Sequence, residues 1–362
     1  MVINYDEYQG TRPVADAHRF DVAALERYMR ANVHGFVGPL AVEQFKGGQS
    51  NPTFKLNDVG SEGANAYVLR RKPPGQLLPS AHAVDREYRV ITALRHSEVP
   101  VARAYCLCTD ESVVGTAFYL MEHVDGRILW DPTLPGMDPF ERRAIFGEMN
   151  RVIAALHRVD YQAAGLSDFG RPGNYLARQI DRWSRQYRAS ATETIEAMDR
   201  LIEWLPLNIP QGDATAIVHG DFRLDNMIFH STEPRILAVL DWELSTLGHP
   251  MADFAYHMMT WRLSGDEFRG LRGSDFAALG IPNESAYLAA YLERTGAAPP
   301  TPQEWGFYLA YNMFRMAGIL QGVMARALAG NAASAQALDS GRRARPMAEL
   351  GWQQVEAMLA AR

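Results

Sequence analysis

Sulfhydryls are scarce in this chain: Cys106 and Cys108 are the only cysteines among 362 residues, which excludes a disulfide framework. A CxC alone lacks the ligands for a metal site. The pair is expected to be two small buried residues pointing to opposite faces of a strand. Long apolar runs are missing too. No uncharged stretch reaches the roughly 18 residues of a membrane-spanning helix, and the first twenty residues have neither a basic segment nor an apolar one of the secretory kind. A soluble, cytoplasmic protein without a membrane partner is expected. Basic charge is short as well: 36 Lys plus Arg stand against 42 Asp plus Glu, a net charge of −6. That balance provides no field of the kind nucleic-acid binders use.

What is present is apolar bulk, 47% of the residues, enough for a substantial core in a two-lobed unit or two domains. Within it lies the run Val218-His219-Gly220-Asp221-Phe222-Arg223-Leu224-Asp225-Asn226. Fifteen residues after Asn226 comes Asp241, in Val239-Leu240-Asp241-Trp242-Glu243. Phosphoryl transfer needs an Asp to orient the acceptor hydroxyl, an Asn to hold a metal ion, and a second Asp to hold metal against the nucleotide phosphates. Asp221, Asn226 and Asp241 supply these in order and at kinase spacing, with Gly where protein kinases place Arg. The bland alternative is an ordinary turn followed by a strand that happens to end in Asp. HGDxxxxN followed by an apolar strand ending in DxE resembles the aminoglycoside phosphotransferase and choline kinase superfamily. That resemblance implies an α+β, protein-kinase-like two-lobed fold, with ATP and Mg2+ as cofactors.

The N-terminal half reads as the nucleotide lobe. Asp21 is placed to cap an amphipathic helix carrying Val22, Leu25, Tyr28 and Met29. Leu40 to Phe45 alternates like a strand, and the chain turns back through Gly47-Gly48-Gln49-Ser50-Asn51 into a second strand. Glycines in such a turn let backbone N–H groups approach an anion. An ordinary hairpin is the alternative; the resemblance implies that Gly47, Gly48, Ser50 and Asn51 contact phosphate. In the next strand Val68 and Arg70 share a face, toward adenine and phosphates respectively. Arg70 stands where kinases carry Lys, and Lys72 on the same face is the substitute candidate. Glu87, beside the apolar stripe of a helix over residues 81–94, is the matching acid for Arg70. The strand ending in Met121 closes at Glu122-His123-Val124, where the backbone of Glu122 and Val124 would bind adenine. The lobes expected are residues 1–122 and 123–362.

The C-terminal half carries a long amphipathic helix within 138–159, in which His157 reads as structural. A helix from Tyr175 sets Arg178, Arg182 and Arg185 on one face, either solvated or facing an anionic substrate. Asp253 is expected to cap N–H groups and brace the catalytic loop, and His249 stands where many relatives have Asp. No acid occurs between Glu304 and Asp339, whereas Arg315, Arg326, Arg342, Arg343 and Arg345 add positive charge. An aminoglycoside would need clustered carboxylates, and choline would need acids with an aromatic cage. Arginine with Met and aromatics suits an acyl chain joined to an anionic head.

GGQSNPTF, YVLRRKPPG, REYRVITAL, VHGDFRLDNMIF and LDWELSTLGHPMADFAY together resemble the branch related to the kinase domains fused to acyl-coenzyme A dehydrogenases. The resemblance covers residues 20 to 350 approximately and implies phosphorylation of 4-hydroxyacyl-coenzyme A esters, with functional coupling to an acyl-coenzyme A dehydrogenase. The expected protein is thus a small-molecule kinase acting on a hydroxylated substrate. An aminoglycoside or other metabolite phosphotransferase and a nucleotide-binding pseudokinase scaffold stand as alternatives.

Overall fold

A computed structural model describes residues 9–46, 51–60, 65–73, 83–330 and 336–360, with backbone alone at 266 and 267. The chain forms two compact units. The first comprises residues 1–130, 164–166 and 225–245, and the second 131–163, 167–224 and 246–362. Elements are numbered in chain order across both.

Unit 1 is built on a sheet of β1 (Thr11–Arg12), β2 (Leu40–Phe45), β3 (Thr53–Asp58), β4 (Ala66–Arg71), β5 (Ala104–Cys108) and β6 (Phe118–Glu122), in the order β1-β2-β3-β4-β6-β5. All its pairings are antiparallel. Period-two alternation sends Phe54, Leu56, Tyr67 and Leu69 to one face, where Leu25 and Met29 of α1 (Val22–Asn32) complete a core. The Asp21 carboxylate accepts the Ala24 N–H at 3.0 Å, the cap expected from the sequence. The opposite face of β4 turns Val68 and Arg70 toward α2 (Val84–Leu94). Arg71, on the α1 side, is buried by donating to the carbonyls of Val114 and His18, both at 2.8 Å, beneath the rings of Phe20 and Phe54. Cys106 and Cys108 are free. They do not face apart as expected: residues two apart in a strand point the same way, and both join the same core beside Tyr28.

Unit 1 also holds the hairpin β8 (Met227–Phe229) and β9 (Ile236–Val239), which joins the preceding chain through Arg127 and Phe229. Unit 2 is mainly helical. It contains α3 (Pro139–Arg158), α4 (Tyr175–Ser190), α5 (Glu196–Trp204), the antiparallel pair β7 (Ala216–Val218) and β10 (Thr246–Gly248), and α6 (Pro250–Met258). Two short helices, α7 (Gly265–Phe268) and α8 (Phe276–Leu279), precede α9 (Glu284–Thr295), α10 (Pro302–Leu328), α11 (Ala337–Gly341) and α12 (Ala344–Ala360). Asp138 caps α3 by accepting from Phe140 and Glu141. Thr301 and Glu304 cap α10 reciprocally, and the nearly all-round apolar surface of α10 is covered by α4, α6 and α12. Among the described residues no helix is long and apolar enough to cross a membrane.

Candidate active site

One cluster of expected residues lies in unit 1, where four of them meet. Arg70 is 8% exposed; its Nε lies 2.8 Å from Glu87 Oε2, and one Nη donates to Asp241 Oδ1 at 2.6 Å. Glu243 approaches the same guanidinium at 3.7 Å. The other side of Glu87 is filled by Asn51, whose Nδ2 donates to Oε1 at 2.9 Å, and by the Tyr119 hydroxyl, which donates to Oε2 at 3.2 Å. Burial alone would make Arg70 easier to deprotonate, but the charges of Glu87, Asp241 and Glu243 prevail and raise its pKa. Burial pushes the Glu87 carboxyl up, against the pull of Arg70. A forked cation held between two acids in this way defines one geometry, which a point-charge ammonium would not. Arg70, rather than Lys72, makes these pairs.

Asp241 reaches Arg70 from a left-handed backbone conformation, φ 61°, immediately after β9. The buried Trp242 anchors that turn by donating its indole N–H to the Val239 carbonyl at 3.0 Å. The hairpin register sets Asn226 against Leu240, whose N–H donates to the Asn226 carbonyl at 2.8 Å. Oxygen donors from Asn226 and a one-third exposed Asp241 suit a hard divalent cation. Among the described residues no cluster of three or more His, Cys, Asp or Glu could hold a metal by itself. Val68 is buried on the Arg70 face. At the end of β6 the N–H groups of Glu122 and His123 are taken by the carbonyls of Arg103 and Ala66. The Val124 N–H has no partner among the described residues. Gly47, Gly48 and Ser50 lie outside the described residues.

A separate cluster lies in unit 2, around Asp221. Gly220 has φ +83°, the left-handed conformation that glycine adopts freely, so Gly at this position of the motif answers a backbone requirement. The N–H groups of His219 and Gly220 both donate to the Asp253 carboxylate at 2.8 Å. Asp253 therefore braces this loop, as its position suggested. Burial would raise the Asp253 pKa, but the hydrogen bond from His157, 3.2 Å away, and the charge of that imidazole hold it below the usual range. His157 also meets the Tyr291 hydroxyl at 2.7 Å, which fits a structural histidine. The Asp221 carboxylate accepts the Tyr256 hydroxyl, and Arg223 lies 3.0 Å away. Burial and the Asp221 charge raise the Tyr256 pKa strongly, keeping that hydroxyl a donor.

Three residues in these clusters carried no site signal in the sequence. Tyr119 and Tyr256 stand within apolar runs, Phe118-Tyr119-Leu120 and Phe254-Ala255-Tyr256. Arg315 counted as positive charge for a substrate, yet it is 6% exposed and donates to the Gly220 carbonyl at 2.7 Å. The basic face of α4 is spent largely on local contacts: Arg178 donates to the carbonyls of Gly173 and Arg171, Arg185 pairs with Asp181, and Arg182 lies over the Trp183 ring.

Comparison with known proteins gives the family. The chain is 47% identical over 346 residues to acyl-CoA dehydrogenase family member 10 of Mus musculus, covering 94% of the chain and 32% of that protein. It is 42% identical over 345 residues to acyl-CoA dehydrogenase family member 11 of Homo sapiens, covering 94% of the chain and 44% of that protein. The chain thus spans from about a third to under half the length of these curated relatives. A Ralstonia eutropha crystal structure assigned to the aminoglycoside phosphotransferases shares 60% identity and a TM-score of 0.85, over 94% of this chain and 99% of that one. Choline kinase from Cryptosporidium parvum shares the fold at 13% identity, with a TM-score of 0.67 over 94% and 97% of the two chains. The model of the phosphotransferase enzyme family matches residues 41–305, and the chain belongs to that family, with its protein-kinase-like fold.

Proposed function

We propose that this chain transfers the γ-phosphoryl group of ATP to the hydroxyl of a small molecule, and that the acceptor is a hydroxyacyl-coenzyme A ester of the 4-hydroxyacyl type. The observation that carries the kinase reading is the grip of Glu87 and Asp241 on Arg70. This cation and acid pairing is what places nucleotide phosphates in kinases. Arg70 positions the phosphates, and Glu87, held by Asn51 and Tyr119, fixes Arg70. The Val124 N–H, with the Glu122 carbonyl, offers the donor and acceptor that an adenine edge needs, and Val68 packs against the ring. Asn226 and Asp241 would hold magnesium, which supplies charge neutralisation at the phosphate oxygens when bound. Asp221 orients the acceptor hydroxyl and takes its proton, while Tyr256 holds the carboxylate in place. The remaining catalysis is electrostatic.

The acceptor class is supported by the absence of acids between Glu304 and Asp339 and by relatives that are named acyl-CoA dehydrogenase family members. On this reading the chain works in the cytoplasm beside an acyl-coenzyme A dehydrogenase. The test is mass spectrometry of products formed from Mg-ATP with two acceptor panels, hydroxyacyl-coenzyme A esters and aminoglycosides. The expected outcome is phosphorylated hydroxyacyl ester, lost in Asp221→Asn with nucleotide affinity nearly intact. Phosphorylated aminoglycoside would overturn the charge argument. Product from neither panel, with nucleotide still bound, would favour a pseudokinase.

A further inference from the structure

A guanidinium combines N–H donors in one plane with flat faces that lie against aromatic rings, so a buried arginine can hold several groups in register. Arg315, buried in the middle of α10, uses both features. One Nη donates to the Gly220 carbonyl at 2.7 Å, and the guanidinium lies over two rings, 5.2 Å from the centre of Tyr256 and 5.7 Å from that of Trp183. Burial works against its charge, but Tyr311, Tyr175, Tyr256 and Asp221 outweigh that effect and raise its pKa. Two of these contacts lead to Asp221. The peptide unit between Gly220 and Asp221 is held at both ends, its carbonyl by Arg315 and its N–H by Nδ1 of His219 at 3.2 Å. The Tyr256 hydroxyl donates to the Asp221 carboxylate, so the ring beneath Arg315 restrains the side chain as the carbonyl restrains the backbone.

We infer that Arg315 is a positioning residue for phosphoryl transfer: by clamping the Gly220–Asp221 peptide and the Tyr256 ring together, it aims the Asp221 carboxylate at the acceptor hydroxyl. The inference rests on the phosphotransferase reading, in which Asp221 takes the proton of that hydroxyl. A misplacement of about 1 Å at a reacting group costs roughly 100-fold in rate, and none of the groups that Arg315 touches is assigned to the nucleotide. Its loss should therefore slow turnover and spare nucleotide binding. A merely structural Arg315 would lower the unfolding midpoint and leave the rate per folded molecule at the wild-type value.

Turnover of Mg-ATP by the full chain, with water or a hydroxyacyl-coenzyme A ester as acceptor, decides it in Arg315→Gln and Arg315→Lys. Rates are taken per nucleotide site, counted by calorimetry with Mg-ADP, so that unfolded protein does not enter. Arg315→Gln should lose at least tenfold in kcat with the KM for ATP within twofold of the wild type. Lysine keeps the charge but cannot donate to the carbonyl and lie flat along the ring at once, so Arg315→Lys should lose at least threefold; it decides alone should Arg315→Gln fail to fold. An unchanged kcat in either variant, or a KM for ATP that rises in step with the loss, overturns the inference. Absence of wild-type turnover with both acceptors would instead strike the kinase reading, and amide hydrogen exchange would then decide the clamp. Exchange over residues 219–224 should be at least tenfold faster in Arg315→Lys with α1 of unit 1 unchanged, and equal exchange overturns the clamp.

Discussion

Arg70 joins residues 171 positions apart in one bond to Asp241, and a guanidinium is suited to that task because its fork serves two acids at once. Lysine at the same position could satisfy only one of them, and shortening the side chain would leave Glu87 buried beside an incomplete partner. Arg70→Lys is therefore expected to weaken ATP binding at least tenfold and to cost about 3 kcal/mol of stability, in line with broken buried pairs. Calorimetric nucleotide affinity and urea unfolding check both, and unchanged affinity would remove Arg70 from the phosphates. The pairing of Arg70 with Glu87 was legible in the sequence because strand and helix periodicity each fix a face. The contributions of Tyr119, Tyr256 and Arg315 were not. An aromatic or a cation on an amphipathic element looks the same whether its polar atom meets solvent or a carboxylate, and only tertiary packing decides which.

The helices and strands followed their local signals closely, since caps such as Asp21, Asp138 and Thr301 specify where a helix begins. The helix α6 illustrates what local signals leave out. Its residues Met251 to Met258 are buried throughout, so Asp253 and His257 are taken out of water along with the apolar side chains, at positions that a helical pattern would assign to a core or a surface without distinction. Burial lowers the His257 pKa to about 4, with weaker opposing effects from Phe222 and Asp253. The imidazole is therefore neutral in the folded protein, while the unfolded chain takes up its proton near the ordinary value of 6.5. Stability from this residue is complete above 6.5 and is lost as pH falls from there toward 4, by about 1.4 kcal/mol per pH unit. Urea midpoints measured across that window should decline for the wild type and decline less steeply for His257→Gln; parallel slopes would exclude His257 as a source.

At the scale of the molecule, fold and family were legible because the motifs that carry them span the chain, and the family model covers residues 41–305. The path of the chain was not. Unit 1 ends its first segment at Trp130 and takes in residues 164–166 and 225–245 much later, a return that depends on long-range contacts no local window contains. A fragment of residues 9–130 therefore lacks Asp241, Glu243 and the β8–β9 hairpin, leaving Arg70 without one of its acids. That fragment is expected to show no cooperative unfolding and no Mg-ATP binding by circular dichroism and calorimetry; a folded, nucleotide-binding fragment would show that the hairpin is dispensable. The same threading has a consequence for a protease. A single cut between residues 131 and 163 or between 167 and 224 would leave both units composed of pieces of two polypeptides. Hydrolysis of one peptide bond there divides the backbone without parting the folded units from each other's strands of chain, so a nicked molecule would migrate whole on a native gel and as two bands only after denaturation.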